Sequence, residues 1–248
     1  MSSSTQVGLK EQLHPLIRDL ATGIEATWQR WLNLEPYAAM PADLGYIEGK
    51  LEGERLQIEN RCYQSREFRK LHLELARVGN NLDILHCVLF PRTTFDLPMF
   101  GADLVGGRGQ ISAAIVDLSP TTIARELSND YIAGLTALPN PTFQGLRELP
   151  TWGDIFSSFC LFIRPGSPEE EAAFLDRALG FLQVHCQQAA AATALTDPEA
   201  IATVLEQQRY YCEQQRRNDK TRRVLEKAFG DDWADRYMTT MLFDLPSD

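Results

Sequence analysis

The sequence predicts an α/β protein built as a three-layer α/β/α sandwich, with a central, mostly antiparallel sheet of about seven strands. Three observations predict it. Strand-like runs follow one another from residue 45 to residue 118 with short turns between them. Short connections suit antiparallel neighbours, because parallel strands need a long crossover. Helical periodicity precedes this block and returns after it, so helices are available to cover the sheet's apolar faces. The chain has 248 residues and is 44% hydrophobic, enough to bury a substantial core.

In chain order, residues 1–8 read as a loose, flexible lead. Residues 14–34 suit a helix, with Leu16, Leu20, Ile24 and Trp28 or Trp31 at helical spacing. Residues 37–41 lead out of it. Residues 45–51 and 54–63 flank Glu52-Gly53, a hairpin turn. Residues 68–78 and 82–90 are strands separated by Gly79-Asn80-Asn81. Residues 99–105 and 110–118 follow, joined through Gly106-Gly107-Arg108-Gly109. Ser119-Pro120 closes the block. Residues 121–138 read as a helix with a break at Gly134, and 139–153 as an irregular connection rich in proline. Residues 155–163 are apolar enough for a buried strand. Ser167-Pro168-Glu169-Glu170-Glu171 opens a helix toward residue 194, with Ser as cap, Pro in the first turn and acids at the positive end. Asp197-Pro198-Glu199 repeats that signal for a helix toward residue 215. Residues 218–229 are helical again and stop at Gly230. A last helix covers 233–241. No Gly/Ser or Pro-rich linker divides the chain, so a single domain over 1–248 is expected.

The formal net charge is -10, which disfavours nucleic acid and anionic membranes as partners of the whole molecule. Two local basic runs stand against it: Arg61, Arg66, Arg69, Lys70 and Arg77, and Arg216, Arg217, Lys220, Arg222, Arg223 and Lys227. The five cysteines are scattered, with no CxxC pair, so neither a disulfide framework nor a zinc or iron–sulfur pattern is supported. The N-terminal residues have no basic and apolar leader pattern, and no run approaches a membrane span. A reducing cytoplasmic setting is the expectation.

Chemistry concentrates between residues 71 and 105. His72 and Glu74 are two apart and share a face if they lie on a strand. His86 lies on the next strand and Asp103 on the one after. Asp103 has largely apolar neighbours, and Gly101 on its own face would leave room for a ligand above the sheet. An acid in such a place would have a raised pKa and could donate a proton near neutral pH. Asp103 could equally cap a turn or pair with Arg108, and the sequence leaves both open. His86 and His72 could be satisfied core groups. With Glu74 they could instead handle protons, the carboxylate holding a histidine charged or fixing its tautomer. Two His and one Glu could also bind zinc or iron, although the spacing matches no metal motif. Gly106-Gly-Arg-Gly109 precedes a strand rather than a helix, so it is a turn and not a dinucleotide site. The chain offers acids and bases without an evident redox centre.

The stretch His72-Leu-Glu-Leu-Ala, then Leu82-Asp-Ile-Leu-His-Cys-Val, Leu97-Pro-Met-Phe-Gly-Ala-Asp-Leu-Val and Ile111-Ser-Ala-Ala-Ile-Val-Asp-Leu-Ser-Pro120 closely resembles the ferredoxin-dependent bilin reductases. The resemblance spans nearly the whole chain. It implies a central antiparallel sheet between helical layers, with biliverdin in a cleft between the sheet and the C-terminal helices. It implies no tightly bound metal, flavin or nicotinamide: a plant-type [2Fe-2S] ferredoxin, docked on a local basic patch, gives single electrons, and the protein gives protons. By resemblance Asp103 is the central acid at the pyrrole nitrogens or lactam oxygen, and His86 is its paired histidine. Glu74 is the donor at the D-ring vinyl group, and His72 is its hydrogen-bonding histidine. Asn218 and Asp219 become a polar pair on the helix side, and Lys220 a propionate ligand. Ser112, Arg147 and Trp152 fall in the pocket too. Without the resemblance, Asn218 reads as a helix cap, Lys220 as a solvated helix residue and Trp152 as core. Glu74 with His86 resembles the branch that makes phycocyanobilin from biliverdin by four electrons. A reductase with another product, and a non-catalytic bilin or haem carrier, are the alternatives. A monomer is implied.

Overall fold

The computed structural model describes residues 8–246, so the expectation of a loose N-terminus falls, for residues 1–7, outside the described residues. Among the described residues eight strands form one sheet: β1 Glu35–Pro36, β2 Tyr46–Leu51, β3 Glu54–Gln64, β4 Phe68–Val78, β5 Leu82–Pro91, β6 Met99–Gly107, β7 Gln110–Ser119 and β8 Leu161–Ile163. Their order is β1-β3-β4-β5-β6-β7-β8, with β2 also pairing β3. Every pairing is antiparallel. Consecutive strands from β2 to β7 are neighbours, as their short turns require. Two of those turns place both central residues at positive φ: Glu52 and Gly53 (53° and 88°), and Arg108 and Gly109 (52° and 76°). That backbone matches the right-handed twist of the flanking strands, and glycine adopts it without strain.

Alternation along each strand divides the protein into two halves. Leu71, Leu73 and Leu75 of β4, and Leu85, Cys87 and Leu89 of β5, face α1 (Pro15–Trp31) and α3 (Pro168–Ala191). These two helices pack on each other, and α2 (Asn129–Thr136) packs on α3. Leu16, Ile17, Leu20, Ile24 and Trp28 form the buried stripe of α1. The opposite face carries Ile58, Cys62, Ala76, Val78, Val88, Phe90 and Met99. It is covered by α4 (Pro198–Gln215), α5 (Asp219–Phe229), α6 (Asp231–Tyr237) and a π turn at Met238–Leu242. β4 and β5 are therefore buried on both faces over most of their length.

Several expectations are corrected. The first helix ends at Trp31, and His14 caps its start by accepting from Leu16 N–H at 3.3 Å. Residues 121–128 are not helical. The Thr122 hydroxyl donates to the Glu126 carbonyl and accepts from its N–H, and Arg125 takes φ 54°; side-chain capture of the backbone displaces the helix there. Gly134 lies inside α2 without breaking it and allows close approach of Val184. Residues 155–160 turn rather than extend, because Ser157 is pinned to Asp117 through both its N–H (3.1 Å) and its hydroxyl (2.5 Å). Only Leu161–Ile163 remain as strand. The α3 helix stops at Ala191, and the last helix begins earlier than expected, at Asp231.

Leu20 lies in the α1 stripe, on the far side of the sheet from the polar groups described below, and is fully buried. Leu20→Ala should cost about 2–5 kcal/mol of stability in urea unfolding. Ligand spectra of the folded fraction should stay as in the wild type.

Candidate active site

Asn60 on β3, Glu74 on β4, His86 on β5 and Asp103 on β6 stand opposite one another in a single cross-strand row. The adjoining row holds Cys62, His72, Val88, Gly101 and Asp117. Directly opposed residues on one face are close enough for their side chains to bond. The four proton-handling groups read from the sequence therefore share the face beneath the C-terminal helices.

His86 Nδ1 is 2.5 Å from Asp103 Oδ1, so Asp103 pairs with His86 and not with Arg108. The histidine side chain is 9% exposed and the carboxylate 42%. Asp103 is thus open to solvent on one side, not held in the apolar enclosure suggested by its sequence neighbours. Burial opposes the charged form of His86, but the Asp103 charge and hydrogen bond, with Glu74 beyond, outweigh it and raise the pKa. The charged imidazolium is favoured, and it has two N–H donors. Its buried Nε2 has no protein partner among the described residues.

Of the two acids in this row Glu74 is the buried one, and burial raises its pKa against the opposing pull of His86 and a hydrogen bond from Tyr237. The Tyr237 hydroxyl is 2.5 Å from Glu74 Oε2 and 3.0 Å from Asn60 Oδ1. Asn60 Nδ2 donates to the Leu44 carbonyl at 2.7 Å, which leaves its Oδ1 as acceptor. His72 Nε2 lies 2.7 Å from that oxygen and is therefore the protonated nitrogen of a neutral ring. Burial, then the nearby Lys70 and His86, hold the His72 pKa well below its usual value. The expected direct contact between His72 and Glu74 is replaced by a relay through Asn60 and Tyr237. The two histidine rings meet edge to face at 5.8 Å.

The C-terminal segment roofs this network. Lys70 is fully buried, pairs with Asp244 and donates to the Met241 carbonyl at 2.8 Å. Arg69 also pairs with Asp244. These bonds hold Phe243 edge-on against His86, with ring centroids 5.4 Å apart.

A cleft of about 650 Å³ opens at Val105, two residues from Asp103 on the same face, and is lined also by Ser112, Leu146, Arg147, Arg164 and Lys220. Ser112 is the extra residue of a bulge, since Val105 pairs with Ala113 and Gly106 with Ile111; a bulge re-aims a side chain. Arg147 donates to the Ser112 carbonyl at 2.9 Å and lies over the Phe162 ring. Ser112, Arg147 and Lys220 are thus brought together. Asn218 occupies the N-cap of α5 without a side-chain capping bond. Asp219 pairs with Arg223. Trp152 tilts against Phe156 in the cluster under α4, outside the lining of this cleft. Among the described residues no group of three or more His, Cys, Asp or Glu is placed to hold a metal ion.

The ferredoxin-dependent bilin reductase family model matches residues 21–244. The chain is 59% identical to phycocyanobilin:ferredoxin oxidoreductase of Trichodesmium erythraeum (strain IMS101) over 236 residues, which is 95% of this chain and 96% of that protein. The protein belongs to the ferredoxin-dependent bilin reductases. Its fold is also that of tomato phytochromobilin synthase, solved in complex with biliverdin: the TM-score is 0.73 at 19% identity, over 92% of this chain and 84% of that one.

The sequence reading of this reductase missed Asn60 and Tyr237. Asn60 had a signal, because it interrupts the inward series Leu56, Ile58, Cys62 on β3. Tyr237 had none: it is 163 positions from Glu74.

Because the His86 pKa is raised, its pairing contributes stability that is fully present below the unfolded value of about 6.5 and is lost as pH rises through the folded value. The stability difference between wild type and His86→Gln should therefore be larger near about pH 6 than near about pH 9 in urea titrations. Equal differences would show that the charged pair contributes nothing.

Proposed function

We propose that this bilin reductase converts biliverdin to phycocyanobilin, taking four electrons from ferredoxin one at a time and supplying four protons through Asp103, His86 and Glu74. The observation that carries this reading is the charged His86–Asp103 pair standing beside buried Glu74 on one sheet face, at the edge of a cleft. The identity to a phycocyanobilin-forming enzyme supports the product. Each electron makes the bilin more basic, and a positioned acid then quenches it. Asp103 and His86 serve the pyrrole nitrogens or lactam oxygen. Glu74, disposed by burial to hold its proton, serves the D-ring vinyl group, with His72 acting through Asn60 and Tyr237. Lys220 takes a propionate, and Ser112 and Arg147 line its approach. Asn218 and Asp219 form the polar helix side. The bilin itself carries the radical, so no tightly bound cofactor is needed.

The electron donor is a plant-type [2Fe-2S] ferredoxin, an acidic partner for which a basic dock suits. The first basic run is committed internally: Arg61 to Glu25 and Glu59, Arg66 to Glu67, Arg69 and Lys70 to Asp244. In the second, Arg217 and Lys220 are exposed and carry no ion pair among the described residues. Arg147 and Arg164 line the same cleft as Lys220. These four cations favour docking over the cleft mouth. The protein acts as a single-domain monomer in the cytoplasm; no helix among the described residues is long and apolar enough to cross a membrane.

The test is an anaerobic assay with reduced ferredoxin and chromatography of the product. A carrier would leave biliverdin unchanged. Asp103→Asn should bind biliverdin and stall turnover by about a hundredfold or more; normal product formation would reject its role. Glu74→Gln should permit A-ring reduction and block the D-ring step, and a full yield of phycocyanobilin would remove Glu74 from the reaction.

A further inference from the structure

The Glu74 carboxyl takes one hydrogen bond within the protein among the described residues, from the Tyr237 hydroxyl to Oε2 at 2.5 Å. Its other oxygen, Oε1, has no protein partner there. Unlike His72 Nδ1 and His86 Nε2, however, Oε1 is not sealed from solvent. Glu74 as a whole is 7% exposed. The two oxygens of this acid are therefore unequal: one is held by a phenol, and the other still reaches open space.

The phenol has one proton and two acceptor oxygens within reach. Asn60 Oδ1 is the farther, at 3.0 Å, and already accepts from His72 Nε2 at 2.7 Å. Glu74 Oε2 is the nearer and has no other donor, so the phenolic proton goes there. Burial first, and the Glu74 charge next, raise the Tyr237 pKa well above its usual value, and the hydroxyl stays a donor. The ring is held in place. Tyr237 is fully buried, and Trp233, one turn earlier on α6, stacks on it with centroids 4.9 Å apart and planes 12° apart. Phe229 of α5 backs Trp233 at 4.2 Å.

We propose that Tyr237 is a positioning residue for Glu74: by donating to Oε2 it leaves Oε1, the open oxygen, to carry the transferable proton, and it stabilises the carboxylate that remains once that proton has gone. In the transfer the Oε1–H bond breaks and a C–H bond forms at the D-ring vinyl group of a bilin that ferredoxin has reduced by one electron. The electron pair of the O–H bond stays on Glu74 as its negative charge, and a solvent proton restores the acid afterwards. The bond from Tyr237 strengthens as that charge develops, because a donor to an ionised oxygen is worth more than one to a neutral oxygen. This inference rests on Glu74 being the D-ring donor.

The test compares Tyr237→Phe, Trp233→Leu and Glu74→Gln with wild type. Thermal unfolding reports folding, biliverdin absorption reports binding, and anaerobic time courses with reduced ferredoxin, resolved by chromatography, give the A-ring and D-ring rates separately. Tyr237→Phe keeps the ring and its stack. It should slow the D-ring step about tenfold and leave biliverdin binding and the A-ring step within about twofold of wild type. The infrared carbonyl stretch of the protonated Glu74 carboxyl, identified as the band that Glu74→Gln removes, should rise in Tyr237→Phe, because Oε2 as the carbonyl oxygen loses its donor. Trp233→Leu keeps the phenol but frees its ring, and should change both readouts in the same direction by less; it carries the test if Tyr237→Phe does not fold. An unmoved band, or an unchanged ratio of the two rates, in whichever variant folds overturns the positioning role, as does a wild type without the band. Plain loss of packing would slow both steps together and leave the band where it was. If Glu74→Gln blocks the D-ring step while Tyr237→Phe matches wild type, only the Tyr237 inference fails. If Glu74→Gln gives a full yield of phycocyanobilin, the reading of Glu74 fails and Tyr237 has no proton to place.

Discussion

A histidine whose charged form is favoured, held under an apolar roof, is the constraint on which this site depends. His86 is packed beneath Phe243 and beside the His72 ring, and burial there disfavours an imidazolium. One short bond to Asp103, with Glu74 on the other flank of the row, reverses that preference. The arrangement exists only because β4, β5 and β6 are in register. A one-residue slip of β5 would turn His86 toward α1 and α3 and bring Leu85 or Cys87 into the row. The long apolar series on the other face of the same strands, Leu71 to Leu75 and Leu85 to Leu89, opposes such a slip, so the core on one side secures the chemistry on the other.

The second support comes from the C-terminus. Lys70 has no exposed surface and would be costly to bury alone. Its partners are Asp244 and the Met241 carbonyl. The Lys70–Asp244 bond secures the tail that carries Phe243, just beyond α6 and the π turn. Tyr237, in the last turn of α6, closes the Glu74–Asn60–His72 relay. Lys70, Asn60 and Glu74 of the sheet are thus partnered by residues from the far end of the chain, and each buried donor and acceptor so paired avoids a desolvation penalty of about 1–3 kcal/mol. The His86–Asp103 pair is made within the sheet, and the relay is completed by the helical layer.

The reactive groups divide by exposure. Asp103 is partly open to solvent, Glu74 lies against Tyr237, and His86 joins them in the row. The cations gathered at the mouth, Arg147, Arg164 and Lys220, give an acidic chain a locally positive entrance.

The strands from β2 to β7 were legible because period-two patterning and tight turns are local properties, and the shared face of His72 and Glu74 follows from their spacing alone. The motifs also carried the family. What local pattern could not reach was decided by tertiary contacts. The strand expected at 155–163 is a turn because the buried Asp117 carboxylate captures Ser157. The expected helix at 121–128 gives way to bonds made by Thr122. Ser112 reaches the cleft through a bulge that only the β6–β7 pairing defines. Asp103 looked buried by its apolar neighbours, yet its carboxylate is open to solvent on one side, while Glu74, in an equally ordinary strand, is an acid whose pKa burial raises. Sequence determines which side chains share a face; which of them lose water, and which partner relieves the loss, depends on the layer that folds over them.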